Sequence, residues 1–162
     1  MGSSSLKSIT WSYDVFVSYE DGDIIQSFVD HLFHDFKRKG IRAFKEDDHV
    51  HRGEERSPQV FRAIEQSRFL VVIFSEGFAS SPSCLRELVK IIENKEKFLD
   101  KYQIVTVHHN CKPEMVVKQT ENYEATFSKH DKLVKREVPK WKEALIKAVN
   151  LPGWDLERLA NG

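Results

Sequence analysis

The stretch from Ser80 to Ile92, SSPSCLRELVKII, sets a carboxylate, Glu87, inside an apolar segment that closely follows an equally apolar run, RFLVVIF (Arg68 to Phe74). A glutamate there has two readings. It is a snorkelling flank residue paired with Arg86 or Lys90 on a solvated helix face, or it is a reacting group at the point where a strand hands over to a helix. Other chemically capable residues gather in the acidic turn Glu20 to Asp23, in the loop KEDDHVHRGEER (Lys45 to Arg56) and in HHNC (His108 to Cys111). The last could donate to a metal, but a structural zinc site takes four ligands in paired spacing and no second pair is present. A polar strand end is expected there, with no metal. Two cysteines, Cys84 and Cys111, are too few for a disulfide scaffold and read as packed thiols.

These groups must be positioned by a small body. A chain of 162 residues, 40% hydrophobic, holds one core and one domain. Lys+Arg and Asp+Glu both total 25, so no net field draws the chain to nucleic acid or an anionic membrane. Residues 129–147 are locally basic, but the charges lie opposite Leu133, Trp141 and Leu145 and read as a solvated face. The longest uncharged apolar run, Phe69 to Phe74, falls far short of the ~20 residues that span a bilayer. MGSSSLKSIT has no hydrophobic signal region, and Leu6 stands where myristoylation requires Ser or Thr. A soluble cytoplasmic protein is expected, with the nucleus also open to it and no membrane.

Residues 1–11 read as a flexible lead-in and 12–162 as the domain. YDVFVSY (Tyr13 to Tyr19) has the β-branched and aromatic character of a strand. Asp23 starts a helix with Ile24, Ile25, Phe28, Val29, Leu32, Phe33 and Phe36 at the 3.6 period, stopped by Gly40. IRAF (Ile41 to Phe44) predicts a short second strand. Ser57-Pro58 opens a helix with Val60, Phe61 and Ile64 inward, and RFLVVIF predicts a strand covered on both faces. The helix of Glu87 follows, with Leu85, Leu88, Ile92 and Lys95 at helical spacing, and then a strand at Gln103 to Val107. Short helical pieces are expected from Pro113 to about His130. A clearer helix runs from Pro139 to Asn150 with Trp141, Leu145, Ile146 and Val149 inward, and Gly153 to Leu156 is a fifth strand. This alternation predicts a doubly wound parallel sheet of four to five strands with helices on both faces. Ligands of such sheets bind at the carboxyl ends of the strands. Glu87 leans back toward that rim because helical side chains tilt toward the N-terminus.

Taken together, YDVFVSY, KGIRAFKEDDHVHRGEE, AIEQSRFLVVIFSEGFASS and CLRELVKI resemble a plant Toll/interleukin-1 receptor (TIR) domain, in matching order over about residues 13 to 154. The resemblance implies a flavodoxin-like fold and a part in innate immune signalling and disease resistance through TIR–TIR association. In many members it also implies cleavage of the nicotinamide glycosidic bond of NAD+ by the glutamate of the CLxEL motif, here Glu87. NAD+ would be substrate, with no resident cofactor. Breaking an N-glycosidic bond builds oxocarbenium-like charge on the ribose, which a carboxylate stabilises, while nicotinamide leaves neutral and needs no strong acid.

By the same resemblance Tyr19, Glu20, Ser83, Arg52 and Gly53 would line the NAD+ pocket, the loop around Arg52 and Gly53 moving to open it. Three rim segments depart from the family pattern. Glu20 and Ile25 stand where arginines are usual, Ser83 where a tryptophan would wall the pocket, and Val117 where an arginine is usual. An altered or weakened NAD+ nucleosidase is therefore expected, the alternative being a non-catalytic module that pairs with another TIR protein. At one family interface His31 matches the usual histidine while Asp30 stands where a serine is customary, and Gly153 matches a second, although Gly153 also reads as a helix stop. The family's final helix has no counterpart before the last residues, ERLANG. A phosphoacceptor response regulator is set aside because Ser75 and Glu76 occupy the end of the third strand, and a flavin site because the turn after the first strand is acidic.

Overall fold

In YDVFVSY, successive side chains must point to opposite sides of a strand, so Val15, Val17 and Tyr19 share one face while Phe16 and Ser18 share the other. The rest of the molecule is layered on that division. A computed structural model describes residues 11–21, 23–45, 58–127 and 132–155. Strands β1 (Tyr13–Ser18), β2 (Ser67–Phe74), β3 (Gln103–His108) and β4 (Gly153–Asp155) form one parallel sheet in that order. Tyr13 lies opposite Ser67 and Ser18 opposite Val72, while Phe69 lies opposite Gln103 and Phe74 opposite His108.

On the free side of β1, Ala43 makes a single parallel bridge to Val15. The chain thus runs from β1 out to Ala43 and returns to β2 on the other flank of β1. Strand order reverses there, as the flavodoxin-like class requires, and the carboxyl ends of β1 and β2 bound the crevice at the reversal. The strand expected at Ile41 to Phe44 shrinks to this bridge for a local reason. The Arg42 N–H donates to the Asp14 carboxylate at 2.7 Å rather than to a backbone carbonyl, and the Arg42 guanidinium closes on the same group at 3.2 Å. Those hydrogen bonds, the backbone one first, hold the Asp14 carboxyl below its usual range. Their stabilisation is present above the unfolded pKa and is lost as pH falls through the folded one.

Helix α1 (Asp23–Arg38) ends before Gly40, whose φ of 73° is the left-handed stop. It covers Val15, Val17, Tyr19, Val71 and Ile73, burying Val29 and half-burying Phe28, Leu32, Phe33 and Phe36. On the opposite face lie α2 (Pro58–Glu65), α3 (Pro82–Lys97), α4 (Pro113–Thr120), α5 (Tyr123–Thr126) and α6 (Lys132–Val149). Their core joins Phe16, Leu70, Val72 and Phe74 to Ile64, Leu85, Leu88, Ile91 and Trp141. Among the described residues no helix is long and apolar enough to cross a membrane.

Three expectations are corrected. Helix α6 begins seven residues before Pro139, because Val134 and Val138 extend the inward stripe of Trp141, Leu145 and Ala148 backward. Pro139 is exposed, so the carbonyl its ring cannot serve lies on the solvent side. Ile146 is 45% exposed, one position off that stripe, whereas Phe61 and Val149 are half-buried against the core. The β2 strand is not covered on both faces throughout. Phe69, at its start, is 38% exposed on the face that α1 covers.

Gly153 opens β4 and is neither a helix stop nor a positive-φ residue. A Cβ there would lie 2.5 Å from Thr106 Oγ1 and 3.3 Å from its carbonyl oxygen. Glycine is what lets β4 approach β3. Gly153→Ala should therefore cost about 1 to 3 kcal/mol through overpacking, read as a lower thermal midpoint. Thr106→Ala in the same chain should recover part of the loss.

Candidate functional site

The first turn of α3 is set by its own sequence. Pro82 occupies the first helical position and Ser81 caps it, its side chain accepting from the Cys84 N–H at 3.4 Å. That start fixes the rotation of the helix. Leu85, Leu88, Ile91 and Ile92 go into the core, and Glu87, between them, goes with them. Its carboxylate is 0% exposed. Ser18, the last residue of β1 and also fully buried, donates to Glu87 Oε1 at 2.8 Å. Glu87 thus lies at the carboxyl end of β1, beside the strand-order reversal. The solvated-flank reading fails on the partners as well, since Arg86 is bonded to Glu137 at 2.9 Å and Lys90 to Glu65 at 2.6 Å.

One turn toward the N-terminus of the same helix, the Cys84 thiol donates to the Tyr19 carbonyl at 3.4 Å and to Glu20 Oε2 at 3.3 Å. Glu20 reaches across from the loop after β1 and over the loop after β2, its Cγ standing 3.4 Å from where a Cβ on Gly77 would be. A carboxylate therefore sits at the N-terminal end of α3. Helix N-termini favour negative charge through their unsatisfied N–H groups, and in doubly wound sheets they receive phosphates. Here the chain's own Glu20 lies beside that end, held by the Cys84 thiol.

The other rim segments are braced. The Tyr123 hydroxyl donates to the Ala79 carbonyl, holding the short 3₁₀ turn Phe78–Ser80 after β2, and burial pushes that hydroxyl's pKa well above its usual value. Gln119 donates to the Glu76 carbonyl at 3.2 Å, and the His109 N–H to the Phe74 carbonyl at 2.8 Å. Asn110 adopts φ 53°, a left-handed conformation that asparagine tolerates better than most residues. His108 is buried against Phe74, with Nδ1 2.9 Å from the Cys111 carbonyl oxygen, so HHNC is a folded strand end. Both cysteines are buried. Among the described residues no group of three or more His, Cys, Asp and Glu is arranged to hold a metal.

Of the residues singled out in sequence, Glu87 and Glu20 converge. Tyr19 contributes only its carbonyl, because alternation along β1 sends its ring into the cluster under α1. Ser83 is buried in the first turn of α3, so a tryptophan there would require repacking. Arg52 and Gly53 lie outside the described residues, as does the side chain of Ile25. Val117 is exposed on α4. Asp30 and His31 are exposed on α1, with Gln26 donating to Asp30 at 2.9 Å, beside a groove of about 590 Å³ that reaches the edge segment at Arg42 and Lys45. Gly153 is at the opposite edge of the sheet. Ser18 went unnoticed in the sequence. The signal was there: two residues after Phe16, a hydroxyl occupies a position that faces the core.

A family model described as TIR domain matches residues 12–161. The chain is 40% identical over 149 residues to disease resistance protein RUN1 of Vitis rotundifolia, covering 91% of this chain and 11% of that protein. Against TMV resistance protein N of Nicotiana glutinosa the identity is 37% over 153 residues, covering 93% and 13%. The chain spans only between 11% and 15% of the lengths of these and similar relatives, such as disease resistance protein RPS6 of Arabidopsis thaliana. Among solved structures it matches the TIR domains of the activated Roq1 resistosome directly recognizing the pathogen effector XopQ, with a TM-score of 0.78 and 43% identity over 93% of this chain and 92% of that one.

A carboxylate this deep is held against a desolvation cost of several kcal/mol. Glu87→Gln keeps an oxygen for the Ser18 hydroxyl and removes the charge. Its thermal midpoint should equal the parent's or exceed it by up to about 4 °C. A fall of several degrees would show instead that the carboxylate serves the fold.

Proposed function

The chain belongs to the TIR domain family, and from that premise we propose that it works in plant innate immune signalling by associating with other TIR domains, with Glu87 hydrolysing NAD+ in the assembled state. The observation that carries the enzymatic part is Glu87 itself: fully buried, hydrogen-bonded to the end of β1 at 2.8 Å, beside the strand-order reversal. The relatives named for disease resistance, and the neighbour taken from an activated resistosome, support the signalling part.

The reaction is a displacement at the ribose anomeric carbon. The bond to the nicotinamide nitrogen breaks and its electron pair leaves with neutral nicotinamide. Water then forms the new C–O bond and gives up a proton, so NAD+ and water become ADP-ribose, nicotinamide and H+. A carboxylate beside the ribose stabilises the cationic transition state and can accept the proton of the attacking water. In the single chain Glu87 has no exposed surface, so substrate reaches it only after the rim opens. Assembly that favours the open rim would supply that step.

A second reading is favoured by Glu20. Its carboxylate lies at the N-terminal end of α3, where an incoming pyrophosphate would meet repulsion in place of a cation. On this reading the domain is a non-catalytic partner for another TIR protein. Incubating concentrated protein with NAD+ and measuring nicotinamide release separates the two. Turnover is expected to be slow, to rise more than linearly with protein concentration, and to vanish in Glu87→Ala. Equal background from parent and variant would leave the partner module standing.

Association has its own test. Asp30 and His31 are exposed on α1, which packs over the face of β1 and β2, and Gly153 opens β4 at the far edge of the sheet, as two separate contact surfaces would. Exposed surface substitutions away from special features change stability by no more than about 0.5 kcal/mol, so His31→Ala should leave the thermal midpoint in place. It should shift the sedimentation-derived association constant down by about tenfold. An unchanged constant would remove α1 from the interface.

A further inference from the structure

Ser18 is the one buried polar residue of β1, and Glu87 is the one buried carboxylate of α3. They meet at 2.8 Å although 69 residues separate them in sequence. We propose that Ser18 is a positioning residue for Glu87: its hydroxyl holds the carboxylate at the carboxyl end of β1, in the orientation that the site uses. The proposal rests on the reading of Glu87 as the reacting carboxylate, and it adds a residue outside the pocket set inferred from the sequence.

Three observations converge on it. The direction of the hydrogen bond is settled by chemistry when Glu87 is ionised, because a carboxylate only accepts. The donor is rigid: Ser18 lies in register with Val72 of β2, and the three residues before it, Val15 to Val17, are paired with Phe69 to Val71. The position also has little reason to be serine otherwise. Phe16, Leu70, Val72 and Phe74 line the same face, and an alanine or valine would fill it without a hydroxyl to satisfy. The hydroxyl does what those residues cannot: it takes up one oxygen of a carboxylate that can rotate about its last side-chain bonds. A hydrogen bond to an ionised group also favours the ionised form, the form a reacting carboxylate needs.

The test is a hydroxyl series at position 18. Ser18→Ala deletes the donor, and Ser18→Thr restores it on a slightly larger side chain. In the assembled protein with NAD+ as substrate, Ser18→Ala should lower kcat by about tenfold to a hundredfold, the range expected for losing a hydrogen bond to a charged group, and change KM by less than about threefold. The acidic limb of its pH–rate profile should move to higher pH. Ser18→Thr should recover at least half of the lost kcat and return the limb to its place. A merely structural serine would lower the active fraction without moving the profile, and that result would overturn the proposal.

A second measurement does not depend on turnover. Thermal midpoints of Ser18→Ala, Glu87→Ala and the double variant form a cycle. Coupling across the hydrogen bond should make the double variant lose several degrees less than the sum of the single losses. Additive losses would overturn the proposal even if NAD+ were cleaved. If the parent shows no turnover while the cycle is coupled, the reading of Glu87 as a hydrolase fails and the positioning contact stands.

Discussion

A carboxylate without solvent exposure is the constraint around which this domain is arranged. Removing such a charge from water costs several kcal/mol, a large part of the 5 to 15 kcal/mol by which a domain of this kind is stable. It persists only if the groups around it are supplied from fixed positions. Ser18 comes from a strand and Glu87 from a helix, so the contact exists only when the strand's register and the helix's rotation are both correct. The β1–β2 pairing that sets Ser18 opposite Val72 fixes the first, and the Ser81 cap with Pro82 at the start of α3 fixes the second. Leu85 and Leu88 on either side of Glu87 make any other rotation expensive, because it would expose them.

The two faces of the sheet then do different work. Under α1 lies a layer of half-buried Phe28, Phe33 and Phe36 packed on Val15, Val17, Val71 and Ile73. The opposite face carries the buried carboxylate, the Cys84 thiol and the Tyr123 hydroxyl, each with a hydrogen-bond partner at the carboxyl edge. That division follows from alternation along β1, where Phe16 and Ser18 look one way and Val17 and Tyr19 the other. It also explains why Tyr19 gives the rim only a carbonyl. The acidic residue that does reach the rim, Glu20, is stabilised by the N-terminal end of α3 and by the Cys84 thiol. On the proposed function an anionic substrate group would compete with it for the same place.

The strands were legible because each rests on local pattern: RFLVVIF is a strand under any reading of its β-branched residues. For Glu87 the helical period leaves a solvated flank and an inward site both open, and it is the CLxEL resemblance that singles it out; in the structure it turns inward with Leu85 and Leu88. What escaped depended on partners distant in sequence. Whether Ile41 to Phe44 forms a strand is decided by the Asp14 carboxylate, which takes the Arg42 N–H at 2.7 Å. The start of α6 was obscured by Pro139, a residue that marks a helix start in most contexts and is tolerated here because it faces solvent. Gly153 reads as a helix stop until the hydroxyl of Thr106 is found 2.5 Å from where its Cβ would be. Ser18 is the instructive case, since alternation alone placed its hydroxyl in the core and a buried hydroxyl must have a partner.

On the proposed function, a closed Glu87 and two separate association surfaces belong together for a thermodynamic reason. If the open rim is a minor state, the apparent affinity for substrate falls by the fraction that is open, so a state populated at about one part in a hundred weakens binding a hundredfold. A partner that binds the open form better returns that factor, up to its own preference and no further. Such coupling needs an element that both sites touch. Helix α1 begins two residues after Asp21, in the loop that carries Glu20 to the rim, and its outer surface presents Asp30 and His31. On that reading a displacement of α1 by a partner would act on the segment that carries Glu20, while β1 and Ser18, pinned by the sheet, would keep Glu87 in place.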